Sequence, residues 1–332
     1  LIEVHAVHRF LAMAVVISFA ACGPKRGATP LPREMRAATA KYPPRIHAKR
    51  EPAAVPRPAK PMPLAEARKY FVRLVNRDRE REGLEPVVLD STTAQKAAQE
   101  HADDMASHGY TAHYGTDGSV PEMRYAAAGG TDIAFENAAC FFDNAERKLD
   151  RGALFLASEI ERIESAFINE KPPHDGHRRN ILTPWHNRVG IGLAQPVGIT
   201  VPCAAQEFID HYGKYDPVPA QAAVGSKVRV SGEVVAPATF GAVALARIDR
   251  PEPRSADNLN GTGSYQLPAP YATYLPKGFV TPIEVRVENG RFFVEVPLDD
   301  KGRPGIYELS VWGLVPESSD LVTLSLRTIN VK

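Results

Sequence analysis

Apolar residues recur at helical spacing in three stretches of the first 170 residues. Leu64, Ala67, Phe71, Leu74 and Val75 make one stripe, which Gly83 closes after the charged run 77–82. A second helix is expected from Ser91 as N-cap through Ala94, Ala98, Ala102 and Met105 to Gly109, its alanine face implying close packing. The third carries Leu156, Ile160, Ile163 and Phe167 and stops at Pro172-Pro173. Between these lie a Gly-, Asp- and Ser-rich stretch (114–130) and three runs that read as strands, 133–142, 189–194 and 201–209. Helices and strands therefore interleave, which predicts a mixed α and β unit over 64–212. Past Asp216-Pro217-Val218-Pro219 the helical period vanishes and period-two alternation takes over at 227–235, 242–248, 283–287, 292–296, 306–312 and 322–331. With Asn289-Gly290 and Lys301-Gly302 as turns, that pattern predicts a small β-sandwich over 222–332 and an α+β chain overall.

The beginning of the chain has a different character. His8 and Arg9 precede an apolar run, 10–20, that ends in small residues and is short for a membrane span, so 1–21 reads as an export signal. Phe19-Ala20-Ala21-Cys22-Gly23 resembles a lipobox, which makes Cys22 the expected lipidation site and the protein an extracytoplasmic lipoprotein of the cell envelope. Gly23 stands where an Asp would favour inner-membrane retention, so the expected place is the outer membrane or cell surface. Residues 24–63 hold ten prolines and ten Lys or Arg against Glu34 and Glu51, the composition of an extended basic tether spanning 22–63. The 332 residues, 44% hydrophobic, suffice for two cores, and a formal net charge of +1 gives no global field toward nucleic acid. Membrane association is expected through the lipid alone.

Two carboxylates stand in apolar surroundings. Glu170 follows Phe167 by three residues and extends the third helical stripe; Glu136 lies between Ile133-Ala134-Phe135 and Ala138-Ala139-Cys140. Each needs a partner, because an unpaired buried charge costs several kcal/mol, roughly. His113 and His177, in neighbouring polar loops, are the candidates. His101 with Met105 reads as helix packing, His174-Asp175 as a solvated loop, His186 as a companion of Trp185, and His211 as a domain boundary. Cys140 and Cys203 are either a disulfide or two buried thiols. The sequence has no Gly-rich phosphate loop, paired-cysteine motif or His-Glu-x-x-His, and neither Ser107 nor Ser165 has an activating motif.

A family resemblance joins these residues. Leu74-Val75-Asn76-Arg77-Asp78-Arg79, Gly83-Leu84-Glu85-Pro86, Ala112-His113, Glu136-Asn137-Ala138-Ala139, Gly176-His177-Arg178-Arg179-Asn180-Ile181-Leu182, Val189-Gly190-Ile191-Gly192 and Gln206-Glu207-Phe208 follow in the order of bacterial CAP domains. That superfamily takes in cysteine-rich secretory proteins, venom antigens and plant pathogenesis-related proteins. The resemblance implies an α-β-α sandwich with a concave ligand-binding cleft lined by His113, Glu136, Glu170 and His177. It implies zinc as the metal to consider at His113 and His177, and an interaction module for lipid, envelope polymer or a protein ligand. The competing expectation is a zinc-assisted, peptidase-like hydrolase with Glu136 or Glu170 as base; a third makes the β domain an adhesive or spacing unit. Residues 304–311 resemble a late hairpin of an immunoglobulin-like module, a generic likeness that implies no activity.

Overall fold

The computed structural model describes residues 42–262 and 265–332; the export run and Cys22 lie outside them. The first unit is built from α1 (Leu64–Arg81), β1 (Val88–Leu89), α2 (Thr93–His108), α3 (Pro121–Ala127), β2 (Ala134–Ala139), α4 (Ala157–Ile168), α5 (Gly176–Leu182), β3 (Arg188–Ala194) and β4 (Cys203–Ile209). Its sheet runs β1-β3-β4-β2, with β2 at one edge and β2, β3 and β4 antiparallel. Successive side chains on a strand face opposite sides, and the two faces are covered by different helices. Val189, Ile191, Leu193, Ala204 and Phe208 pack with Phe71, Leu74, Ile160, Ile163 and Phe167 of α1 and α4. The other face receives the alanine stripe of α2, as its composition predicts. A Cβ at Gly190 or Gly192 would fall within 2.2 Å of the α2 backbone at Ala94 or Ala98, so helix and strand meet there without room for a side chain.

Cys140 and Cys203 are joined by a disulfide that closes a separation of 63 residues, removing about 4 kcal/mol of unfolded-chain entropy in the loop-closure picture. Arg79 is buried and donates to the carbonyls of Glu85 (2.8 Å), Ile181 (2.7 Å), Thr183 (2.9 Å) and His186 (3.2 Å), tying α1 to the chain around α5. Burial pushes its guanidinium down to about 10.

Differences from expectation are local. The second helix opens at Thr93 behind Thr92, and Ser91 does not cap it; Asp90 instead accepts from the Thr92 amide at 2.8 Å. α4 ends at Ile168, so Glu170 lies beyond the helix rather than on its stripe. Within the segment expected to be a tether, residues 45–62 run along the body. The His47 amide donates to Gly83 O (2.7 Å), Arg45 reaches Tyr212 Oη (2.8 Å) and Glu317, and Met62 pairs with Phe155 and is buried.

Two further sheets face one core. One is β10-β11-β7-β5 and the other β6-β13-β12-β8-β9, from β5 (Gly213–Tyr215), β6 (Gln221–Ala222), β7 (Lys227–Val234), β8 (Thr239–Ile248), β9 (Ala272–Tyr274), β10 (Arg286–Glu288), β11 (Arg291–Pro297), β12 (Gly305–Leu314) and β13 (Val322–Val331). Val230, Phe292, Val294 and Val296 from the first meet Val243, Leu245, Leu309, Val311 and Leu324 from the second. The α+β order thus stands as expected, a helix-and-sheet unit followed by a β-rich one. The units adjoin along β13, where Leu324 O accepts from the Ile133 amide at 3.2 Å. Among the described residues no helix is long and apolar enough to cross a membrane.

Candidate functional site

Glu136 and Asn137 are neighbours on the edge strand β2 and so face opposite layers. On one side Glu136 is completely buried and gripped by three groups. His101 Nδ1 of α2 bonds its Oε2 at 2.6 Å, Arg124 Nη2 of α3 donates to the same oxygen at 2.8 Å, and His113 Nδ1 bonds Oε1 at 2.9 Å. Arg124 also donates to the carbonyls of His113 and Ser119, both at 3.0 Å, which fixes the loop that carries the ring. Gly109, at φ +67°, makes the left-handed turn from α2 into that loop.

On the other side Asn137 donates to Gln206 Oε1 (2.9 Å) and to His177 O (3.2 Å), while Asn180 Nδ2 donates to Asn137 Oδ1 (2.9 Å) and Glu136 O (3.0 Å). α5 is thereby held to β2. Glu170, lying before α5, accepts from the His177 amide at 2.9 Å and bonds His177 Nδ1 at 2.6 Å. The His177 ring packs on Phe167 with centroids 4.5 Å apart. His113 and His177 come from the two layers, and their centroids lie 6.2 Å apart.

Both rings are fully buried, and Nε2 of His101, His113 and His177 has no hydrogen-bond partner. Each Nδ1 sits on a carboxylate, so the proton is assigned to Nδ1 and Nε2 carries the free lone pair. Burial lowers the pKa of His177 and, with the Arg124 charge, that of His101. Burial alone would raise Glu136, but His101 and Arg124 outweigh it and hold the carboxyl well below the usual range. Glu207, opposite Glu136 in the β2–β4 register, is raised well above its ordinary value by burial and by the Glu136 charge. Glu122 of α3 is pushed up to about 7, chiefly by burial.

Two free Nε2 lone pairs suit a borderline metal such as zinc. Through their Nε2 atoms His113 and His177 would be the residues to hold it. Among the described residues no three His, Cys, Asp or Glu side chains converge as a metal cage, so any protein contribution is limited to two nitrogens.

All four residues expected to share a cleft, His113, Glu136, Glu170 and His177, are brought together. They fall into two carboxylate–imidazole pairs. His101, expected as packing, is a partner of Glu136 instead. His186 does not lean on Trp185: it stacks between Phe135 (5.2 Å) and Phe208 (5.5 Å) and bonds Asp210. His211 bonds Asp132 at 3.0 Å. Two residues had not been anticipated. Arg124 lies in a stretch read as loop, although Pro121 followed by Glu122 is a helix-start signal that places α3. Tyr265 comes from the β-rich unit, and its hydroxyl donates to Glu122 Oε2 at 2.7 Å while its ring lies 5.7 Å from His113. Nothing in the local sequence around Tyr265 announces that contact.

Residues 72–196 match the model of the cysteine-rich secretory protein family, CAP. Over that stretch the chain resembles a CAP domain. It is 28% identical over 150 residues to the uncharacterized protein YkwD of Bacillus subtilis (strain 168), a match covering 45% of this chain and 49% of that one. The chain thus spans about half the length of that curated relative. A crystal structure of the swine CD8αα homodimer aligns with 36% of the chain and 98% of its own, at 16% identity and a TM-score of 0.23, a likeness that carries no argument.

Proposed function

We propose that the protein is an extracytoplasmic, lipid-anchored CAP interaction module whose His113–His177 pair takes a divalent transition metal, zinc by the chemistry of its donors. The observation behind the metal reading is the pair of buried Nε2 atoms without partners, each on a ring whose Nδ1 is already held by a carboxylate. A bound zinc would supply Lewis acidity to a ligand oxygen. This chain's own contribution is to fix the two rings and bury them away from water. An interaction role is preferred to hydrolysis because Glu136 and Glu170 both spend an oxygen on an imidazole. Glu136 is further neutralised by Arg124, so neither of these two carboxylates is poised as a general base. The ligand is a lipid, an envelope polymer or a protein.

The metal reading is tested by dialysing purified protein against micromolar zinc and measuring bound metal by mass spectrometry. About one zinc per chain is expected, lost in His113→Ala with His177→Ala; equal zinc in parent and double variant would overturn it. The anchor reading rests on the lipobox-like Phe19-Ala20-Ala21-Cys22-Gly23. Expressed with its signal, the chain should partition into membranes with an acylated Cys22, and Cys22→Ser should release it; a Cys22→Ser chain that stays membrane-bound would refute anchoring there.

A further inference from the structure

Residues 249–262 and 265–271, between β8 and β9, leave the β-rich unit and cross to the helix-and-sheet unit. Gly118 meets it so closely that a Cβ there would lie 2.3 Å from Glu252 O. The Arg254 amide donates to Thr116 O at 2.8 Å, and its guanidinium lies over the Tyr114 ring at 4.0 Å. A five-residue helix, α6 (Ala256–Asn260), is capped by Ser255 and delivers Leu259, fully buried, into the cluster of Met105, Tyr110, Ala112 and Cys140. Asn260 accepts from the Thr111 amide (2.9 Å) and donates to Gly109 O (3.1 Å) and Asn144 Oδ1 (2.7 Å). Tyr265 then sets its ring against His113 and edge-on to Tyr114 at 6.0 Å, its hydroxyl on Glu122. Apart from Asn144, Met105 and Cys140, the residues contacted lie on the turn and loop, 109–122, that carry His113.

We propose that residues 252–262 with Tyr265 form an autoinhibitory cover over the CAP cleft, and that the His113–His177 pair becomes accessible when this cover lifts while both domains stay folded. The attachment favours lifting as a unit. It consists of one fully buried apolar side chain, the ring contacts of Tyr265 and Arg254 and a short set of hydrogen bonds, whereas the chain on either side is rooted in a separate core. A five-residue helix has no stability of its own once detached, so release at Leu259 and Tyr265 frees the whole stretch. Local openings of this kind occur below the free energy of global unfolding. The proposal concerns access to the imidazoles and stands whether or not they bind metal.

The test is histidine carbethoxylation by diethylpyrocarbonate on the full chain, followed residue by residue by peptide mass spectrometry. Two internal standards are present: His47, with 64% of its side chain exposed, and His186, buried away from the cover between Phe135 and Phe208. In the parent, His113 and His177 should react at least tenfold slower than His47 yet faster than His186. In Leu259→Ala with Tyr265→Ala they should speed up at least tenfold while His186 stays slow. Parent His113 and His177 reacting as fast as His47, or no faster than His186 in both parent and variant, would overturn the cover. Should the double variant also expose His186, Tyr265→Ala alone is read by the same criteria. Metal content does not enter this readout, so a failure of the zinc reading and a failure of the cover are separable.

Discussion

Glu164 offers a direct measure of what a buried carboxyl costs this fold. It lies on α4, fully buried, where Gln206 Nε2 donates to its Oε2 at 2.8 Å and its Oε1 has no partner. Burial, reinforced by the Asp78 charge, pushes it up to about 8 from 4.5. The folded chain therefore holds a proton that the unfolded chain releases. The stability tied to that proton is fully present below pH 4.5 and is lost as the pH rises through about 8. At about 1.4 kcal/mol per pH unit the upper limit is near 5 kcal/mol, and relaxation around the charge brings the expected loss to roughly 2–4 kcal/mol. Glu164→Gln keeps an oxygen for Gln206 and cannot ionise, so it should remove this slope. Urea unfolding of both chains at pH 5, 6.5 and 8 gives the comparison, with all other titrating groups common to the two. The variant should gain on the parent steadily from pH 5 to 8. Parallel stability–pH curves would refute the protonated state of Glu164.

Glu136→Ala removes the acceptor shared by His101, His113 and Arg124 and leaves a buried guanidinium uncompensated. A loss of about 3–5 kcal/mol is expected in denaturant unfolding, and a loss under 1 kcal/mol would show that the Arg124 charge finds other partners or solvent. The zinc, anchoring and carbethoxylation experiments described above complete the set, each resting on different atoms.

The sequence carried the local structure well where periodicity is strong. The stripes of α1 and α4, the alanine face of α2 and the alternation of β7, β11 and β12 follow from side-chain spacing, because burying one face of an element requires that spacing. That Glu136 and Glu170 need partners, with His113 and His177 as the candidates, was also legible, because a carboxyl flanked by apolar residues demands one; which ring meets which carboxyl was not. Position along a helix misled at Glu170, which reaches His177 from beyond the end of α4 through the turn before α5. His101 read as packing because one imidazole on a helix face gives no hint that a carboxylate from β2 will arrive opposite it.

What only tertiary structure decided is which distant surfaces meet. Tyr265 follows Glu122 by 143 residues, so no periodicity or motif relates the two. The same holds for the Glu136–Glu207 pairing, which strand register creates. Sequence patterns specify how each segment satisfies its own apolar face and backbone. Long-range contacts arise from the docking of finished surfaces, and in this protein that docking places Tyr265 against the His113 ring of the helix-and-sheet unit.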